Sequence, residues 1–242
     1  MTKSINKKSA TYKGLKDGLP IGLGYLSVSF AFGISTVKAG FSPWQAVLIS
    51  MTNLTSAGQL AGVTLMAALA SFLEIGLSQL IINLRYALMS ISLSQKADST
   101  IKTSDRFFLS FFITDEIFAV ASSYPSEGQT YLRALAVLPF FGWTLGTLFG
   151  AVLGEILPSV LVSSLGIAIY GMFVAIVIPE AKKSKATALC AGLSVLLSCI
   201  FNYTPLLSKI PAGFVIIICA VISSGIFAFL APIKDEEVTA NE

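Results

Sequence analysis

Eight apolar segments follow one another along the chain, at about 18–37, 43–70, 75–94, 107–123, 132–154, 158–180, 186–203 and 211–232. A helix needs about 17–25 apolar residues to cross roughly 30 Å of hydrocarbon, and these runs have that length. A transmembrane barrel would instead show segments of about 10 residues with alternating polarity. The fold class expected is therefore all-α, a polytopic helical membrane protein in which one or two segments are broken or re-entrant. Charged residues make up 12% of the chain, against about 25% in soluble domains. The polar ends and loops are too short for a separate soluble domain. Residues 1–17 form a basic N-terminus, 18–232 a transmembrane transport domain and 233–242 a short polar tail.

Lysines 3, 7, 8, 13 and 16 precede the first apolar run. Positive charge of this kind is retained on the cytoplasmic side, so the N-terminus is expected in the cytoplasm of a multi-pass protein of the bacterial cytoplasmic membrane. The run that follows is too long for a signal-peptide core and lacks a cleavage site, so it is read as a retained helix. Eight simple crossings put about 10 Lys and Arg inside and about 5 outside, with Arg85 in the membrane. That arrangement leaves the charged loop from Lys96 to Arg106 outside. A second arrangement makes 43–70 re-entrant, together with one of the two segments between 132 and 180. The balance then becomes about 12 inside and 3 outside. Broken helices are tolerated at membrane depth only where they are buried in protein or line a cavity, so the second arrangement directs attention to residues 53–62.

Three polar constellations stand out. Asp115 and Glu116 are adjacent in the middle of segment 107–123. A central aspartate costs about 2.5–3.5 kcal/mol on insertion scales, and intramembrane acids mark proton relays, ion sites or substrate anchors. Both acids are candidates for proton coupling, because the chain has no histidine. In segment 75–94, Gln79, Asn83, Tyr86 and Ser90 are spaced 4, 3 and 4 and share one helix face. Arg85 lies at a depth similar to the acids. Arginine stays protonated, so a pair between Arg85 and one acid relieves both burial costs and leaves the other acid free to titrate. The third constellation runs from Thr52 to Gly62, where seven of eleven residues are polar or glycine. An unwound stretch there, with Asn53, Ser56, Gly58 and Gln59, has the donors and acceptors to hold an amino acid's ammonium and carboxylate.

Gly142, Gly146, Gly150 and Gly154 recur every fourth residue, and Gly58 and Gly62 repeat the pattern once. Such spacing lets another helix backbone approach closely. Segments 18–37 and 132–154 are both Gly-rich, with an aromatic after a glycine in Gly24-Tyr25 and Gly142-Trp143, the trace of an internal repeat. Cys190, Cys199 and Cys219 lie in apolar spans without metal-ligand spacing, and no metal or other cofactor is expected. Enzymatic readings find no support. A Ser–His site is impossible, a P-loop is absent, and Asp115 is the only aspartate in mid-span.

Taken together, Gly18-Leu19-Pro20, Phe32-Gly33, Ala57-Gly58-Gln59, Asn83-Leu84-Arg85-Tyr86, Thr114-Asp115-Glu116-Ile117-Phe118-Ala119 and Gly142-Trp143-Thr144-Leu145-Gly146-Thr147-Leu148-Phe149-Gly150 resemble the AzlC family, the large subunit of bacterial branched-chain amino acid exporters. The matching pieces keep family order from about residue 18 to 185. The chain departs from the family pattern in the first span, which has no second proline after Pro20 before Gly33. The resemblance implies efflux of neutral, branched-chain amino acids coupled to proton influx, and a small AzlD-type membrane subunit as partner. The candidate cargo contacts are Asn53, Ser56, Gly58, Gln59, Gln79, Asn83, Tyr86, Thr114 and Trp143. The alternative is a passive channel-like or scaffolding subunit whose small partner carries the cargo site.

Overall fold

A computed structural model describes residues 7–96, 101–124, 127–154, 156–158 and 181–231, with isolated positions between 160 and 179. Among them the regular structure is helical. Segment 158–180 lies almost wholly outside the described residues, as does the tail from 232. The chain divides into two compact units, one of Met1–Thr64 with Ile82–Ile169 and one of Leu65–Ile81 with Tyr170–Glu242.

The first unit is built on two long helices, α1 (Lys7–Lys38) and α7 (Gln129–Leu153). Twenty-five residues of α7 extend about 37 Å at 1.5 Å per residue, enough to cross a bilayer. The pair is parallel and in register along its length. A Cβ on Gly14 would lie 2.5 Å from the Tyr131 carbonyl oxygen, one on Gly18 2.5 Å from that of Leu135, and one on Gly22 2.7 Å from that of Leu138. Further up, Gly146 faces Leu26 and Ser29, Gly150 faces the Phe30 carbonyl, and Gly154 faces Ile34. The spaced glycines of 142–154 thus serve helix packing. In α1, Gly14, Gly18 and Gly22 carry the same four-residue spacing, and Gly22 meets Gly142 directly. Pro139 adds to the seam. It supplies no N–H to the Leu135 carbonyl one turn earlier, and that oxygen lies against Gly18, where a Cα–H contact is the available substitute. At its far end α1 closes through Gly40 at φ +95°, a left-handed stop that favours glycine.

Two shorter segments enter this frame and break. Residues 43–70 form α2 (Pro43–Thr52) and α3 (Ser56–Ala67). Ser42 caps α2 through a capping box with Gln45, with Pro43 at the first helical position, the arrangement expected of a helix start. The helix stops at Asn53, whose backbone is extended. Thr55 then caps α3, accepting the Gly58 N–H on its hydroxyl and the Gln59 N–H on its carbonyl. Ser50 and Gln59, nine residues apart, are joined by a hydrogen bond of 2.9 Å. In a straight helix they would be about 13.5 Å apart along the axis, so the chain bends sharply at the break and brings the start of α3 back to α2.

Segment 107–123, expected as one continuous span, is also broken. It contains most of α5 (Thr103–Ser110), a turn over 111–114, and α6 (Asp115–Ser123). Both outer ends of this pair lie at the end of the unit that holds the α1 N-terminus. At the α5 start Asp105 pairs with Arg133 of α7. Beyond the α6 end Glu127 bonds Lys13 of α1 at 2.7 Å, and the Lys13 ammonium sits 3.8 Å from the Tyr124 ring centroid. The tip, in contrast, reaches Tyr25, twelve residues up α1 from Lys13 and so about 18 Å deeper. Of the arrangement proposed from charge balance, segment 43–70 is broken at Asn53 and 132–154 is a full-length helix, while 158–180, the other re-entrant candidate, lies outside the described residues. Segment 107–123, expected as a crossing, is a further broken element whose two outer ends lie at one end of the unit. The reason is local. Thr114 offers a cap and two acids follow it, which favours a helix start in mid-segment. This geometry also brings the stretch from Ile101 to Arg106 to the same end as the N-terminal lysines.

Helix α4 (Phe72–Lys96) has two faces. Leu80, Leu84, Leu88 and Ile91 are exposed on one side, as lipid contact requires, and the polar stripe with Asn83 and Tyr86 lies on the other. In the second unit α8 (Lys185–Tyr203) and α9 (Ala212–Leu230) are joined through a 3-10 turn at Leu207–Lys209. Together with α1 and α7, these are the four described helices long and apolar enough to cross a membrane. Within that unit the buried Glu74, in the first turn of α4, accepts the Gly213 N–H at 2.9 Å. A carboxylate thereby satisfies the amide end of α9.

Two outcomes are expected. Replacing Gly150 by Ala, which drives a methyl onto the Phe30 carbonyl, lowers the unfolding temperature in detergent by the equivalent of about 1–3 kcal/mol. Replacing Gly24, whose Cβ position is open, leaves it unchanged. In a cysteine-free background, single cysteines at Lys102 and Gln129 are labelled from the same face of the membrane and one at Gly40 from the other. Labelling of Lys102 and Gln129 from opposite faces would make segment 107–123 a crossing and overturn its hairpin.

Candidate functional site

The tips of the two broken segments meet inside the first unit. Between them lies an open cleft of about 280 Å³, lined by Thr52, Asn53, Leu54 and Thr55 from the first break, Ser110, Phe111 and Ile113 from the second, and Asn83 and Tyr86 from α4. One wall is polar and the other is apolar and aromatic. At the breaks, the ends of α2 and α5 leave backbone carbonyls and the starts of α3 and α6 leave N–H groups outside the helical ladder.

Two polar tracks connect the acids of one tip to the helix start of the other. In the first, Asp115 pairs with Arg85, Oδ2 to Nη2 at 3.0 Å. Arg85 also donates to the Tyr86 hydroxyl at 2.9 Å and stacks over its ring. Tyr86 in turn hydrogen-bonds Thr55, the cap of α3. In the second, the Tyr25 hydroxyl is bonded to Glu116 Oε2 and lies 2.6 Å from Thr114 Oγ1. The Tyr25 ring meets Trp143 edge to face at 5.2 Å. The Trp143 indole N–H donates to Gln59 Oε1 at 2.8 Å, and Gln59 Nε2 donates to Ser50 Oγ, which is 2.7 Å from Thr147 Oγ1. Gln59, Ser50, Thr147 and Trp143 are all buried, and each of their polar contacts replaces water that the site excludes.

The acids themselves occupy the first turn of α6 behind the cap Thr114, whose hydroxyl accepts the Ile117 N–H. A helix N-terminus carries partial positive charge and stabilises carboxylates. Two adjacent acids at mid-depth are therefore accommodated by three features together: a helix start, an arginine and a tyrosine.

Of the residues singled out in the sequence, Asn53, Asn83 and Tyr86 line the cleft. Gln59, Thr114 and Trp143 stand behind it in the second track. Ser56 and Gly58 belong to the first turn of α3, and Gly58 donates to Thr55. Gln79, on the same helix α4, falls in the stretch that belongs to the second unit. Ser90 lines a separate small cavity with Arg106. Four participants are not marked as site residues by the sequence: Tyr25, Thr55, Ser50 and Thr147. Tyr25 carried a signal, the one hydroxyl-bearing aromatic in an apolar first span. Glu74, buried in the second unit, also escaped notice.

Removing one partner of the Asp115–Arg85 pair should cost more than removing both. Arg85→Ala alone is expected to destabilise the protein by about 2 kcal/mol, since the pair is only partly buried. The Arg85→Ala, Asp115→Asn double variant should recover part of that loss in thermal unfolding.

Comparison with known proteins finds relatives that are membrane proteins. A family model described as AzlC protein matches residues 20–157, a span holding both breaks, Arg85, the two acids and the whole of α7. Inner membrane protein YgaZ of Escherichia coli (strain K12) is 28% identical over 195 residues, 76% of this chain and 79% of that protein. An uncharacterized membrane protein of Archaeoglobus fulgidus is 30% identical over 197 residues, 81% of this chain and 87% of its own length. Another, from Helicobacter pylori strain 26695, is 28% identical over 151 residues, 59% and 65% of the respective chains. No solved structure matches the chain. With the family model covering more than half its length, this membrane protein belongs to the AzlC family.

Proposed function

We propose that the chain is the large subunit of a secondary exporter of neutral amino acids, branched-chain ones among them, driven by proton influx across the cytoplasmic membrane. It works with a small AzlD-type membrane subunit. Family membership favours a transporter over an enzyme. The observation that carries the reading is the cleft between two opposed helix breaks with a carboxylate pair at one tip. Broken helices whose ends converge at mid-depth are how many transporters bind charged cargo away from water.

The cleft suits an aliphatic zwitterion. Carbonyl ends of α2 and α5 accept from an ammonium, and the first N–H groups of α3 donate to a carboxylate. The α6 start already carries its own acids, so the cargo carboxylate is assigned to α3. Asn53 and Asn83 add side-chain contacts, and Leu54, Phe111 and Ile113 receive an apolar side chain. Apolar pockets separate side chains by only about 1–3 kcal/mol per methylene, so several neutral amino acids share the site.

Orientation follows from charge. In the first unit Lys7, Lys8, Lys13, Lys16, Lys102, Arg106 and Arg133 gather at the end holding the α1 N-terminus, and Lys38 lies at the other. By the positive-inside bias the former end faces the cytoplasm.

The test is efflux of labelled leucine or valine from proteoliposomes holding this chain and the small subunit. Acidifying the medium is expected to accelerate efflux and a protonophore to abolish the acceleration. Asn83→Ala should slow efflux at limiting cargo concentration. Efflux indifferent to the gradient would point to a passive pore, and transport by the small subunit alone to a scaffolding role for this chain.

A further inference from the structure

Asp115 and Glu116 share a helical turn but keep different company. Asp115 has a cation, Arg85, at 3.0 Å. Among the described residues no cation lies within ion-pair distance of Glu116. Its partner is the Tyr25 hydroxyl of α1, which also lies 2.6 Å from Thr114 Oγ1.

We propose that Glu116, not Asp115, carries the coupled proton, and that Tyr25 is the positioning residue that holds Glu116 in both protonation states. This rests on the proton-coupled reading above and says which acid performs it. A proton placed on Asp115 would deprive Arg85 of its counter-charge. Arginine does not give up its own proton, so an uncompensated cation would remain at mid-depth. Glu116 meets no such obstacle. When ionised it accepts from the Tyr25 O–H. When protonated it donates to Tyr25 Oη, and the Tyr25 hydrogen turns to Thr114 Oγ1, 2.6 Å away. Thr114 can accept that bond while accepting the Ile117 N–H, since a hydroxyl oxygen has two lone pairs. Both states are hydrogen-bonded and neither strands a charge.

The surrounding charges are Asp115 on α6, matched by Arg85 on α4. The titratable hydroxyls are Tyr25 on α1 and Tyr86 on α4. Helix α7 contributes the uncharged Trp143. Tyr25 also has a second contact. Its ring rests on Trp143, which donates to Gln59 in the first turns of α3. Through Trp143 and Gln59, Tyr25 is thereby in a continuous line of contacts with the helix start that borders the cleft.

Infrared titration of the full-length protein in lipid reads the protonated carboxyl band directly. Carbon-13 labelling of glutamate carboxyls is expected to shift the titrating band, and labelling of aspartate to leave it. Glu116→Gln should lose the band and Asp115→Asn keep it. Tyr25→Phe, a change that spares the fold, should move its midpoint by about one pH unit, the difference between hydrogen bonds to charged and neutral groups. Glu74, in the other unit, would not respond to Tyr25. A band shifted by labelled aspartate, one indifferent to Tyr25→Phe, or no titrating band in the wild type overturns the assignment. The two readings separate cleanly. If the band behaves as expected while efflux ignores a proton gradient, Glu116 is the titrating acid held by Tyr25 and it is the coupling reading that fails. If efflux follows the gradient while the band belongs to aspartate, the reverse holds.

Discussion

The close approach of α1 and α7 is the contact on which the first unit depends. Glycines at every fourth position on both helices let each backbone lie against the carbonyl oxygens of the other. In lipid there is little hydrophobic gain from bringing two helices together, so packing density and short-range contacts must supply the association. The seam also sets height. Because the helices are parallel and in register, Tyr25 and Trp143 arrive at the same level and touch. Everything at the site is hung from that level: Tyr25 takes the acid tip, and Trp143 takes α3 through Gln59.

Against this rigid pair stand two broken segments. The helical run stops at Asn53 in one and at Phe111 in the other, and each restarts with a threonine cap. Unpaired backbone at mid-depth is costly unless protein or a water-filled cavity receives it. Here the two breaks receive each other, with α4 closing the side through Asn83, Arg85 and Tyr86. The paired acids follow the same logic. They are at a helix start, so the dipole of α6 assists both, and the remaining cost is divided between an arginine for Asp115 and a tyrosine for Glu116.

The second unit shows the same device in simpler form. Glu74 is buried against the amide end of α9 and accepts the Gly213 N–H. A glycine there admits the carboxylate, since a Cβ would fall 2.6 Å from the Glu74 side chain. In both units, then, a carboxylate lies at a helix start: buried Glu74 in the second, Asp115 and Glu116 in the first.

Composition and segment length by themselves determined the class of this protein, because a bilayer demands long apolar helices whatever their arrangement. The same one-dimensional rules exposed the polar stretch at 52–62, the acid pair and the glycine spacing of α7, since each is a departure from an apolar background or a fixed period. What the sequence left open were matters of direction and company. Segment 107–123 is long enough to cross, and only the contacts of its two ends with Lys13 and Arg133 make it a hairpin. Arg85 had two acids within reach at equal depth, and the side chain's position on α4 chose Asp115. Gln79 shares a helix face with Asn83, yet the packing assigns the two to different units. Tyr25 is an ordinary residue of an apolar span until the seam with α7 holds it opposite Glu116. Such choices depend on which surfaces meet, and in a membrane that is decided by tertiary packing, because apolar composition alone does not tell one helix face from another.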